Sequence, residues 1–159
     1  MFKYGTLGGL KFARNNPRTK ATQELLNGMV VLPNDVTGEA PTPAVAADAQ
    51  GEVYVVNNII DKPEIRNLAD FKIEIGEYVH ADLVSAVAEL PVDIDESVVS
   101  TAYASVVVND VLAPTADGSG KWVKADGTTV VASNFKVNLV VIEKTTFGGN
   151  GLKAKVVIN

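Results

Sequence analysis

The chain holds 159 residues, 47% apolar and 21% charged, with a net charge of −5, which is the composition of a folded domain rather than a disordered one. It has no cysteine and one histidine, His80, which excludes disulfides, thiolate chemistry, iron–sulfur clusters and any two-histidine metal motif. No run reaches the roughly 18 apolar residues of a membrane span, and an acidic balance opposes wrapping nucleic acid, which needs a basic face.

Charge is distributed unevenly. Residues 1–20 carry Lys3, Lys11, Arg14, Arg18 and Lys20 and no acid, so the body beyond them is acidic. The opening stretch MFKYGTLGGLKFARNNPR has no continuous apolar region, and no secretory signal is expected there. Phe2, Tyr4, Leu7, Leu10 and Phe12 interleave with the basic groups, while Gly5, Gly8 and Gly9 weaken any helix. Residues 1–20 therefore read as an extended basic arm, laid along a sheet or a neighbouring subunit, and residues 21–159 as a single β-rich domain.

Valine and other β-branched residues dominate the apolar runs, which are short and bounded by turn residues. The first strand is expected at 29–32, stopped by Pro33. Residues 34–51, rich in Pro, Ala, Gly and Asp, read as a long surface loop. Residues 52–60 (EVYVVNNII) form a strong strand. In DKPEIRNLADF, Asp61 caps, Pro63 suits a first turn and Glu64 completes a capping box, which predicts a short helix over 63–70.

Short strands follow at 72–75 and 78–80 around Gly76. Residues 81–90 place Leu83, Val87 and Leu90 at helical spacing but lack a clear cap. Strands are expected at 92–94, 98–99 and 105–112. Two hairpin signals, Asp117-Gly118-Ser119-Gly120 and Asp126-Gly127, introduce strands at 121–124 and 128–132. The longest apolar strand is 135–143. The last, 152–158, alternates cleanly, with Lys153 and Lys155 on one face as protection for a terminal edge strand. The expected fold is mainly β with one or two short helices: a small barrel or sandwich with an extended N-terminal arm.

Chemistry-bearing motifs are sparse. His80 sits beside apolar residues with no G-x-S-x-G serine in the chain, so it reads as a packed or surface residue rather than a catalyst. Asp93, Asp95 and Glu96 put two carboxylates on one face of an extended chain, but without the spacing of a calcium loop they read as a solvated turn. Gly118-Ser119-Gly120-Lys121 lacks the rest of a phosphate-loop pattern. No catalytic residue, cofactor or metal is assigned. Trp122 reads as core packing or as an interface anchor.

The basic glycine-containing leader, the strand entries NGMVVLP and GEYVHADL, the phrase VVNDVLAPTADGSGKWVKADG and the closing FKVNLVVIEKTTFGGNGLKAKVVI together resemble small virion proteins of tailed bacteriophages, in particular head decoration (capsid cement, or auxiliary head) proteins. The resemblance is strongest over 71–159. It implies a non-enzymatic protein, made in the host bacterial cytoplasm, that binds the outside of an assembled capsid and reinforces it against DNA pressure. Its partners would be the major capsid protein and neighbouring copies of itself, with neither nucleic acid nor membrane involved. Such proteins often carry an N-terminal arm that orders on binding, which residues 1–20 match. The familiar lambdoid members are shorter, and the helix at 63–70 and loop at 34–51 depart from their pattern. Under this reading the partner-binding residues are Phe2, Tyr4, Leu7, Leu10, Phe12, Arg14, Arg18 and Trp122. Two alternatives stand beside it: another virion part (tail tube, head-fibre base or minor capsid protein), and a carbohydrate- or ligand-binding β-module with Trp122 and Tyr103 as stacking residues.

Overall fold

The computed structural model describes residues 2–5, 15–60, 71–146 and 149–159. Among them the chain runs β1 (Phe2–Tyr4), β2 (Asn15–Ala21), β3 (Val30–Val31), β4 (Glu39–Ala40), α1 (Ala46–Gln50), β5 (Tyr54–Val56), β6 (Tyr78–Leu83), β7 (Pro91–Asp95), β8 (Val111–Pro114), β9 (Trp122–Lys124), β10 (Val137–Thr146) and β11 (Gly151–Ile158). The fold is all-β, as the valine-rich runs predict. One sheet has six strands in the order β1-β7-β11-β10-β8-β9; the other has five, β3-β5-β6-β2-β4. Every named pairing is antiparallel except β2 with β4.

Period-2 alternation decides which side chains go inside. On β11, Leu152, Ala154 and Val156 are buried while Lys153 and Lys155 point the other way. Phe2, Ile94, Leu112, Trp122 and Leu139 from the six-stranded sheet join Val30, Val55, Val79 and Ala81 from the other in one continuous core. Among the described residues, hydrogen bonds tie the segments of one sheet to those of the other. The Val30 amide donates to the Gly120 carbonyl (2.7 Å), Trp122 Nε1 donates to the Gly28 carbonyl (3.0 Å), and the Tyr4 hydroxyl donates to Asp82 Oδ2 (2.6 Å).

The leader is the main correction. β1 pairs with β7 in the register Phe2↔Ile94, Lys3↔Asp93, Tyr4↔Val92, and β2 lies inside the five-stranded sheet between β6 and β4. Residues 2–4 and 15–20 are therefore sheet strands of this chain, not an arm outside the domain. Apolar groups buried against their own core gain more than groups held out in water.

Other differences are local. The expected loop at 34–51 contains β4 and α1; Ala46-Ala47-Asp48-Ala49-Gln50 is strong helix-former sequence that buries Ala49. The strand expected over 52–60 stops at Val56, because Asn58 turns its side chain to the backbone: its Oδ1 accepts from the His80 amide (2.7 Å) and its Nδ2 donates to the Tyr78 carbonyl (2.9 Å). Residues 81–90 complete β6 and then form a 3₁₀ turn over Val84–Val87.

The run at 105–112 is strand only from Val111, since Asp110 Oδ2 accepts from the Val107 amide (2.7 Å) and Asn109 takes φ +75°. At 128–132 the strand is replaced by a turn in which Asp126 Oδ1 collects the amides of Thr128, Thr129 and Val130 at 2.8–2.9 Å. β11 is no edge strand, because it lies between β7 and β10. The helix expected over 63–70 lies outside the described residues.

Candidate interaction surface

The residues expected to grip a partner separate in the structure. Phe2 is buried, and its ring meets Tyr4 edge-on at 5.3 Å. Tyr4 is half-buried, and its hydroxyl is spent on Asp82, which also accepts from Asn57 Nδ2 (2.8 Å). Burial, then the Asp82 carboxylate, pushes the Tyr4 hydroxyl well above the usual tyrosine range. Trp122 is 1% exposed, so it packs the core and presents no anchor. The Tyr103 ring is half-buried against the core with Lys144 Nζ 4.2 Å over it, and its hydroxyl accepts from the Thr145 amide (2.8 Å). Leu7, Leu10, Phe12 and Arg14 lie outside the described residues. Of the expected set, Arg18 alone is described and exposed.

The acids at 93–96 do not converge. Asp95 Oδ1 caps the Ser97 amide (3.0 Å) and Glu96 accepts from Asn150 Nδ2 (3.0 Å). Asp93 lies in a cross-strand ladder of alternating sign, Lys3↔Asp93↔Lys153↔Glu143, spanning β1, β7, β11 and β10. It is 3% exposed with Oδ1 unpartnered, and burial raises its carboxyl pKa against the opposing pull of Lys3 and Lys153. His80 is half-buried on β6, its backbone amide bonded to Asn58.

Three exposed apolar side chains, Val36, Ile75 and Tyr78, lie on the segments next to β4, while others such as Ile59 and Val107 are exposed elsewhere. A groove of about 410 Å³ runs between Lys20, Ala21 and Thr22 on one side, Thr37, Gly38 and Glu39 on the other, and Ile75 and Gly76. Two turns bound it, and each is locked by a side chain of its own. Asn34 Oδ1 accepts from the Val36 and Thr37 amides (2.9 and 3.3 Å), and Glu77 Oε2 accepts from the Glu74 amide (2.9 Å). The turns hold Val36 at 95% exposure and Ile75 at 70%. Lys20 bonds through its amide to the Gly38 carbonyl (2.9 Å), and its ammonium stands 5.1 Å over the ring of exposed Tyr78, its cross-strand partner. Arg18 lies two residues earlier on the same strand.

Sequence reasoning took Ile75 and Tyr78 only as strand residues around Gly76. Periodicity marks a side chain as apolar, but exposure at a turn depends on what the rest of the chain leaves uncovered. Comparison with protein-family models, with curated proteins and with solved structures gives no match to this chain.

Proposed function

We propose that the chain is a non-enzymatic structural protein of a tailed-phage virion that seats on the outer surface of the assembled head and stabilises it. The resemblance of 71–159 to head decoration proteins motivates the reading. The observation that carries it is the set of exposed apolar side chains Val36 and Ile75, on locked turns, and Tyr78, at the start of β6, beside exposed Arg18 and Lys20. Exposed apolar groups rimmed by polar ones mark contact surfaces. A backbone already fixed in tight turns loses little freedom on docking, so more of the contact energy appears as affinity. Many copies on one shell add avidity to a modest single contact.

The grip then comes from the β4 edge with Arg18, rather than from Phe2 and Tyr4, which are committed to this chain's own sheets. Co-sedimentation with assembled heads tests it. The full chain pellets with heads, and the double variant Ile75→Asp, Tyr78→Ala loses about tenfold or more in affinity while keeping its melting temperature, since two central contacts each carry roughly 1 kcal/mol or more. Equal binding by a folded double variant overturns this surface.

A further inference from the structure

A second opening lies away from that surface. It is a cavity of about 380 Å³ between α1, the β8–β9 hairpin and the 126–135 segment. Its floor is the buried set Pro114, Thr115 and Phe135, and its walls include half-buried Ala116, Val123 and Val130. A satellite apolar cluster of Ala49, Ala113 and Phe135, packed against Ala116 and Val130, underlies it apart from the main core. Alanines stand where larger side chains would fill the space, so Phe135 meets methyl groups and a gap.

The walls are pinned against collapse. Ahead of α1, the Thr42 hydroxyl donates to the Gly118 carbonyl (2.6 Å) and the Gly118 amide donates to the Pro43 carbonyl (2.8 Å). At the end of α1, the Lys136 amide donates to the Gln50 carbonyl (3.1 Å). Across the mouth, the 126–130 turn is held by Asp126 Oδ1. An open cleft whose walls are held by hydrogen bonds on three sides is preformed for an occupant, and its volume lies in the range of small-molecule pockets, roughly 300–1,000 Å³.

The rim defines the chemistry of that occupant. Exposed lining groups are Ala46, Ser100, Asp117, Thr129 and Asn134, and among the described residues Asp117 is the one charged group lining the cavity. Its Oδ1 accepts from the Ser119 amide (2.9 Å), which fixes the carboxylate at the mouth. We propose that this cavity is a binding site for a small organic cation, with an apolar body on the Phe135 floor and an ammonium at the Asp117 carboxylate. This goes beyond the head-binding reading and does not depend on it.

The test uses the full chain and three probes that share one ring: 2-phenylethylammonium, the neutral 2-phenylethanol and the anionic phenylacetate. Amide chemical shifts are followed through each titration. The expected result is saturable binding in the roughly millimolar range for so small a ligand, with shifts centred on Thr115, Asp117, Val130 and Asn134. Affinity falls in the order cation, alcohol, anion. Asp117→Asn lowers affinity for the cation about two- to fivefold, the size of an exposed ion pair, and leaves the alcohol unchanged. Ala116→Leu, which fills the space, abolishes binding of all three while the protein stays folded. Absence of saturable shifts at these amides, an anion bound as well as the cation, or full binding by folded Ala116→Leu each overturns the proposal.

Discussion

The indole Nε1 of Trp122, at the start of β9, donates a 3.0 Å hydrogen bond to the carbonyl of Gly28, two residues before β3. The chain's one tryptophan thus ties the outer strand of the six-stranded sheet to the outer strand of the other. Gly28 in turn donates its amide to the Val56 carbonyl (2.8 Å), so the bond continues into β5. Replacing Trp122 with Phe removes the donor, orphans a buried carbonyl and opens a small cavity. The expected loss is about 2–4 kcal/mol in urea unfolding, with the m-value unchanged.

Tyr4 shows that the N-terminal strand belongs to the domain. Tyr4→Phe removes the bond to Asp82 and leaves that carboxylate with Asn57, at an expected cost of about 1.5–3 kcal/mol. Burial and Asp82 raise the Tyr4 pKa in the folded state above the unfolded value near 10. The stabilising contribution is complete below that pH and declines above it, as the unfolded chain ionises while the folded one does not. Chemical denaturation between pH 9 and 11 checks this: the wild-type chain loses stability more steeply than Tyr4→Phe.

Asp93 carries the same sign of shift with the opposite practical consequence. Its folded-state pKa is raised, chiefly by burial, so the protonated form is favoured and the benefit lies below the ordinary carboxylate value near 3.9. As pH rises through the raised value, the cost of the buried charge sets in. Asp93→Asn therefore melts higher than the wild-type chain at pH 7, and the gain vanishes below about pH 4. Thermal melts at the two pH values measure it.

Gly120 accepts from the Val30 amide and sits close against Thr42. A Cβ there would lie 2.6 Å from Thr42 Cγ2 and 2.9 Å from the Val30 carbonyl oxygen, on a backbone at φ +68°. At Gly127, φ is +75° but no atom lies within 4 Å. Gly127→Ala is expected to cost about 1–2 kcal/mol from the left-handed backbone alone. Gly120→Ala costs more than that, because the clash adds to the same strain, and paired melting curves separate the two.

Legibility in the sequence follows sequence separation. β10 and β11 were readable because a valine-rich run, a Gly-rich turn and a cleanly alternating run follow one another. β1 was not, since FKY is three residues whose partner lies about ninety positions away on β7. The runs at 105–110 and 128–132 have β-branched composition, yet Asp110 and Asp126 offer their amides a nearer acceptor than any strand does. Of the interaction surface, Arg18 was visible as part of the basic leader. Val36, Ile75 and Tyr78 were not, because their exposure is set by the β4 edge, which forms only when β2 and β4 pair across eighteen residues or so. The cavity left only a faint sign, its alanines, which a loop also explains.

Attachment to the outside of an assembled head is proposed to run through the β4 edge. Electron cryomicroscopy of heads saturated with the full chain tests it directly. Added density is expected on the outer shell, into which the structure fits with the 34–38 and 74–77 turns against the capsid and the Lys3–Asp93–Lys153–Glu143 ladder clear of the contact. Heads that gain no density, or density fitted only with the six-stranded sheet against the shell, would contradict it.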